Sequence, residues 1–166
     1  MTTPAPINTR QVSGRRTLYL TEPLAAVWEV SAAARAGRLT PLGNWSAGCV
    51  LGHLAAWIDY GFDGYPSRPP WYVKMVLRLM KSRFFGAAGS PAGVRISGAP
   101  AGTFAREELT VEEGERRFVL AWERLRAGPP PDPHPIFGRL THDQWSAMQL
   151  AHGRLHLSFL EIKWSD

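Results

Sequence analysis

The sequence predicts an all-α fold: a four-helix bundle with an extra short helix and a long Gly/Pro-rich loop between bundle helices two and three. Three observations lead there. Trp145, Met148, Gln149, His152, Leu155, His156 and Phe159 recur at i, i+3, i+4, i+7, i+10, i+11 and i+14, which draws one continuous stripe down a helix. Thr110 with Glu113, and Thr141 with Gln144, have the spacing of capping boxes that open helices. No strand pair joined by turn chemistry is evident, and no internal repeat.

Residues 1–13 read as a flexible N-terminal arm and residues 14–166 as a single domain. Arg15 to Leu20 alternates enough for a short extended piece. Thr21 is a candidate cap for the first helix, with Pro23 tolerated in its first turn. Leu24, Val27, Trp28 and Ser31 give that helix its spacing, and Gly37 its stop. The second helix begins near Ser46 and runs through Leu51, Leu54, Trp57 and Ile58 toward Gly61, apolar nearly all round and therefore buried on several sides. Asp63-Gly64-Tyr65-Pro66 marks its exit.

Trp71 to Phe85 is the extra helix, with Lys74, Arg78 and Lys81 along one face. The preferred reading is a helix that covers a core and turns its charges to water; docking on anionic lipid is the alternative. Gly86 to Arg106 follows as the Gly/Pro-rich loop, long enough to be a lid or a binding loop. The third bundle helix opens at Thr110, carries Phe118, Ala121, Trp122 and Leu125 as its buried stripe, and stops at Gly128-Pro129-Pro130-Pro131. The fourth is expected to continue from Thr141 to about Lys163.

Composition narrows the function classes. Hydrophobic residues at 45% against 20% charged describe a globular chain. The formal charge of +5 favours anionic partners in general, but it is spread without a run of five like charges, so nucleic acid is not an expected partner. A single cysteine, Cys49, makes no internal disulfide. Ser13-Gly14-Arg15-Arg16 has the look of a twin-arginine signal, yet Glu22, Pro23 and Glu29 interrupt the apolar region such a signal needs. With no run of 18 apolar residues, the expectation is a cytoplasmic chain with membrane contact unlikely.

Chemistry concentrates in three histidines. His152 and His156 lie four apart on one helix face, and imidazoles at that spacing reach a common ion. His53 is, apart from Cys49, the lone ionisable residue between Trp45 and Ile58. Imidazoles in apolar stripes cost about 1–3 kcal/mol each when left unpaired; one shared divalent metal removes that cost. Zinc or nickel is the expected cofactor for a nitrogen ligand set. Packed or surface histidines are the competing reading.

The arrangement resembles the DinB-like superfamily of metal-binding four-helix bundles, in a branch of uncharacterised function. The resembling stretches are Gly43-Asn44-Trp45-Ser46, Gly52-His53-Leu54-Ala55, Ile58-Asp59-Tyr60, Asp63-Gly64-Tyr65-Pro66, His134-Pro135-Ile136-Phe137-Gly138-Arg139-Leu140-Thr141, Gln144-Trp145 and His152-Gly153-Arg154-Leu155-His156-Leu157-Ser158-Phe159. The resemblance implies a metal on His53, His152 and His156. It also implies a thiol-dependent transferase or a hydrolase acting on a small molecule, with a low-molecular-weight thiol as partner and a homodimer as assembly. Gly153, Arg154 and Leu155 separate the paired histidines, so the general-base Glu of a metalloprotease H-E-x-x-H is absent.

Four further residues are pocket or outer-sphere candidates, each with a plainer alternative. Cys49, one turn before His53, is a fourth ligand or, preferably, a small buried residue. Gln149 is an outer-sphere donor or a core amide. Asp59, with Asp63, bonds a ligating imidazole or, preferably, serves a cap or turn. His134, in Asp132-Pro133-His134-Pro135, overhangs the pocket or, preferably, lies in a surface turn. His142 is expected to be exposed.

Overall fold

A computed structural model of the chain describes residues 6–67, 69–81, 85, 92–93 and 103–163, and the statements below concern those residues. They form five helices and one two-stranded sheet, in the order α1 (Pro23–Arg35), β1 (Leu39–Pro41), α2 (Ala47–Asp63), α3 (Trp71–Leu79), α4 (Val111–Ala127), α5 (His142–Leu157) and β2 (Leu160–Ile162). The fold is mainly helical, as the sequence predicts. No helix is long and apolar enough to cross a membrane.

Local chemistry sets most boundaries. The Ser46 hydroxyl accepts from the Cys49 N–H to open α2, and Gly64 closes it at φ 101°, a conformation glycine reaches without a Cβ clash. At α5 the capping box is complete, Thr141 and Gln144 satisfying each other's backbone N–H groups. At α4 only half of it forms. Thr110 accepts from the Glu113 N–H, but the Glu113 carboxylate is taken by Arg116 and Arg117 at 2.8 and 2.7 Å, because a charge-assisted pair outcompetes a neutral amide for it.

Three expectations need correction. The cap position of α1 is Glu22 rather than Thr21, and it makes no side-chain cap bond. The inward face of α1 is Val27, Val30, Ser31 and Ala33, with Trp28 half exposed. The last helix stops at Leu157 instead of reaching Lys163. Leu160 and Ile162 then turn inward while Glu161 faces out, and the segment pairs antiparallel with β1 in the register Leu39↔Ile162, Thr40↔Glu161 and Pro41↔Leu160. Arg15 to Leu20 belongs to no strand; it is held by the bond from the Arg16 N–H to the Ser158 carbonyl, 3.1 Å.

The broadest helix contact is α2 on α4; α1 also packs on α4, and α5 on α2. Leu51, Leu54, Ile58, Phe118, Trp122 and Leu125 fill the core between them, joined by Val27, Val30, Leu157 and Leu160. Each such side chain contributes about 1.5–3 kcal/mol by leaving water. On the outer edge Arg124 of α4 reaches Asp63 and Asp59 of α2 at 2.7 and 3.3 Å.

Of the expected Trp71 to Phe85 helix, α3 ends at Leu79 with a turn at Met80, and it does not cover a core. Lys81 and Phe85 are helical beyond it, and residues 82–84 lie outside the described residues. No residue of α3 is buried, and Trp71, Tyr72, Met75, Val76 and Leu79 are exposed. The long loop from Gly86 to Arg106 lies mostly outside the described residues, but its last four do not.

The α2–α4 contact runs through glycine. A Cβ on Gly48 would overlap the Leu109 carbonyl, and one on Gly114 would sit 2.8 Å from the Gly48 carbonyl oxygen. Gly48→Ala should therefore destabilise by about 1–3 kcal/mol through overpacking, reversing the roughly 1 kcal/mol gain that alanine brings to an open helix site. A urea midpoint that rises in this variant would contradict the packing described.

Candidate metal centre

Helix α2 is lined by apolar residues on nearly every side, so its central histidine is carried inside: His53 is 2% exposed. Helix α5 presents His152 and His156 from successive turns toward the same point, and each keeps a partly exposed edge. One ring nitrogen from each of the three lies within 4.8 Å of the others, so together they can hold a metal ion. The sequence brings these residues to within one turn on a helix for two of them; the fold supplies the third across the α2–α5 junction.

His53 Nδ1 stands 3.1 Å from the Phe104 carbonyl oxygen. A carbonyl only accepts, so in the neutral ring Nδ1 carries the proton and Nε2 the lone pair. That lone pair faces His152 Nε2 at 3.3 Å. Two nitrogens bound at about 2.0–2.1 Å to one tetrahedral ion lie about 3.3–3.4 Å apart. The residues therefore fit a shared ion, and the carbonyl on the far nitrogen is the usual outer-sphere orienter of a ligating imidazole.

The segment that delivers this carbonyl is strained. Ala105, next to Phe104, has φ 56°, the one non-glycine residue in the left-handed region among those described. Such a conformation costs about 1–2 kcal/mol and persists where surrounding contacts over-determine it.

Aromatic rings wall the cluster. Trp45 stacks on His156, with ring centroids 5.1 Å apart and planes 5° from parallel, and tilts over His53 at 4.8 Å. Trp57, one turn beyond His53, meets His53 at 5.9 Å and His152 at 5.6 Å. Burial holds His53 down at about 4. Burial, and then the neighbouring imidazoles, hold His152 and His156 well below the ordinary histidine range. All three are thus neutral, the ligating form, at neutral pH.

The other candidates lie elsewhere. Cys49 is buried and outside the cluster, and burial with nearby Glu108 pushes its thiol up to about 11, so it stays protonated rather than ligating. Gln149 is buried and donates through Nε2 to the Trp57 carbonyl at 3.3 Å; it ties α5 to α2 beside the tryptophan instead of bonding an imidazole. Asp59 and Asp63 are engaged by Arg124 on the outer edge. His134 does stand in a turn, bridged to Gly138, but its ring is not at the surface: it is 6% exposed, accepts from the Ile136 and Phe137 N–H groups at 3.1 and 3.2 Å, and packs on Tyr65, Phe137 and Trp145. His142 is half-buried, its Nε2 donating to the Leu125 carbonyl at the end of α4, 2.6 Å away.

Trp45, Trp57 and the Phe104 carbonyl escape the sequence reading as site groups. Trp57 was within reach, since i+4 from His53 is the same helical face. A backbone carbonyl leaves no residue signature at all.

The buried neutral imidazoles give a pH dependence with a definite sign. His53 and His134 both titrate near 4 when folded and near 6.5 when unfolded, so the unfolded chain binds more protons between those values. Their stability contribution is full above about pH 6.5 and is lost as pH falls toward 4, at about 1.4 kcal/mol per pH unit for each group. Urea unfolding of the metal-free chain at pH 7, 6 and 5 should show that decline; equal midpoints at all three would refute the buried neutral state.

No curated protein and no solved structure matches this chain. One family does, described as proteins of unknown function (DUF1569); its sequence model matches residues 12–163, and the chain belongs to that family.

Proposed function

We propose that this chain is a DinB-like metal-dependent enzyme, built on a four-helix bundle in which His53, His152 and His156 hold one divalent ion, zinc before nickel. The observation that carries the reading is the convergence of three neutral imidazole nitrogens with no carboxylate or thiolate joining them among the described residues. Three protein ligands and an open position are the pattern of a catalytic site, whereas structural sites close the fourth. The 3.3 Å nitrogen spacing suits tetrahedral zinc.

An ion held there supplies Lewis-acid polarisation and lowers the pKa of a water or thiol. The chain does the rest. Phe104 keeps His53 in the tautomer that points its lone pair inward, and Trp45 and Trp57 exclude water from two sides. The partly exposed edges of His152 and His156 leave the approach for a small molecule. Transfer to or from a low-molecular-weight thiol, or hydrolysis, is the reaction class, in the cytoplasm and from a homodimer. A non-catalytic ion that only staples α2 to α5 is the rival, and a fourth protein ligand on the ion would decide for it.

Metal analysis of the purified chain should return about one ion per chain. His53→Ala and His156→Ala should lose it, while His142→Ala, whose ring serves only the end of α4, keeps it. Full occupancy in both of the first two variants would remove the site.

A second reading comes from α3, whose exposed Trp71, Tyr72, Met75, Val76 and Leu79 adjoin Lys74 and Lys81. Apolar side chains beside cations suit an anionic lipid surface. On that reading the chain co-sediments with phosphatidylserine vesicles and Leu79→Glu abolishes it; native chain left in the supernatant excludes the reading.

A further inference from the structure

We infer that Arg15 is the anion-binding residue of this centre, so that its small-molecule ligand carries a carboxylate in addition to the group that meets the ion. The inference rests on the metal site proposed above and names the charge of what that site takes.

Charge balance is the first argument. Three neutral imidazoles bring no negative charge to a divalent ion, and no acidic side chain joins the cluster among the described residues. A nearby cation adds to the excess: the Arg15 guanidinium donates to the carbonyl of Leu155, the residue before His156. A partly buried site of that sign is stabilised by an anion from outside the chain.

The second argument is what Arg15 does with its donors. Its neighbour Arg16 pairs with Glu29 at 2.7 Å. Arg15, half-buried, bonds only neutral acceptors among the described residues: its Nε and Nη2 donate to the Ser158 hydroxyl at 3.0 and 2.7 Å, and Nη2 to the Leu155 carbonyl at 3.5 Å. The plane of the guanidinium covers the Phe159 ring at 4.2 Å. These contacts leave Nη1 without a partner among the described residues. The carbonyls at the end of α5 carry about half a negative charge between them, too little to neutralise the guanidinium.

Placement is the third. Leu155 and Ser158 bracket His156, and Phe159 lies against Gly43, two residues before the Trp45 that stacks on His156. The bonds to Ser158 and Leu155 therefore hold a permanently charged guanidinium at the end of the helix that carries His156, with Nη1 left to donate. A guanidinium N–H donates to a carboxylate through a charge-assisted hydrogen bond. The plainer role is a strap that ties residues 15–16 to the end of α5, and the experiment separates the two.

Cobalt-loaded chain is titrated with 3-mercaptopropionate and with its neutral amide, binding being read from the visible absorption of the cobalt. The carboxylate should bind about ten- to a hundredfold more tightly, the range expected of a hydrogen bond to a charged group. Arg15→Gln should bring the ratio to about one without changing cobalt content or the affinity for the amide, and Arg15→Lys should restore part of it. Ser158→Ala, which loosens the strap and keeps the charge, should lower the unfolding temperature and leave a preference in place. A native ratio near one, or a ratio that survives Arg15→Gln, overturns the inference. Native chain that takes up no cobalt overturns the metal site itself, and that result is read before any ligand is added.

Discussion

Three imidazoles meet with no acid to pair them among the described residues, and that constraint organises the junction of α2 and α5. Protonating any one would place a cation among apolar and aromatic rings, so all three stay neutral. Neutral rings then set two Nε2 atoms 3.3 Å apart, a contact closed by a proton on His152 Nε2 or by an ion that both lone pairs reach. The α2–α4 contact is of another kind. It is broad, apolar and closed by glycines, and it holds α2 in place whatever the histidines do. One face of α2 thus carries the apolar packing and the other, the chemical face, carries His53 toward the histidine pair.

The loop end at Phe104 belongs to the chemical face. Its carbonyl selects the tautomer of His53, and the left-handed Ala105 beside it shows that the backbone bends against its own preference to arrive there. Such strain persists where surrounding contacts over-determine it, and the bond to His53 is one of them. The same carbonyl raises the basicity of the ring it touches, which strengthens a ligand.

Much of this was legible in the residues. The capping box at Thr141, the histidine pair four apart, and the apolar run around His53 led to mainly helical structure and to the three histidines that converge. What escaped was non-local. His142 and His134 look like loop and surface residues by position, but each is fastened by a backbone group that no pattern marks: the Leu125 carbonyl for one, the Ile136 and Phe137 N–H groups for the other. The apolar residues of α3 fit a core-facing helix by spacing, and spacing does not say whether a core lies opposite. The half-formed box at Thr110 failed because two arginines one turn on compete for Glu113.

The missed strand pair bears on the site as much as on the fold. β1 leads into the segment that carries Trp45, and β2 follows directly from the helix that carries His156. Their ladder is extended by the bond from the Leu42 N–H to the Phe159 carbonyl at 2.8 Å, and the Ser158 carbonyl takes the Arg16 N–H on the other side. Three residues of strand are too few to stand alone; they persist because Leu160 and Ile162 are buried in the core. The consequence is geometric. Trp45, His156 and Arg15 come from three distant parts of the chain, and this small sheet with its two flanking bonds brings Trp45 onto His156 and Arg15 to the end of the same helix. The end of α5 therefore does more than stop a helix. It fixes the end of the helix against the segments that carry Trp45 and Arg15, which a single helix running on to Lys163 could not have done.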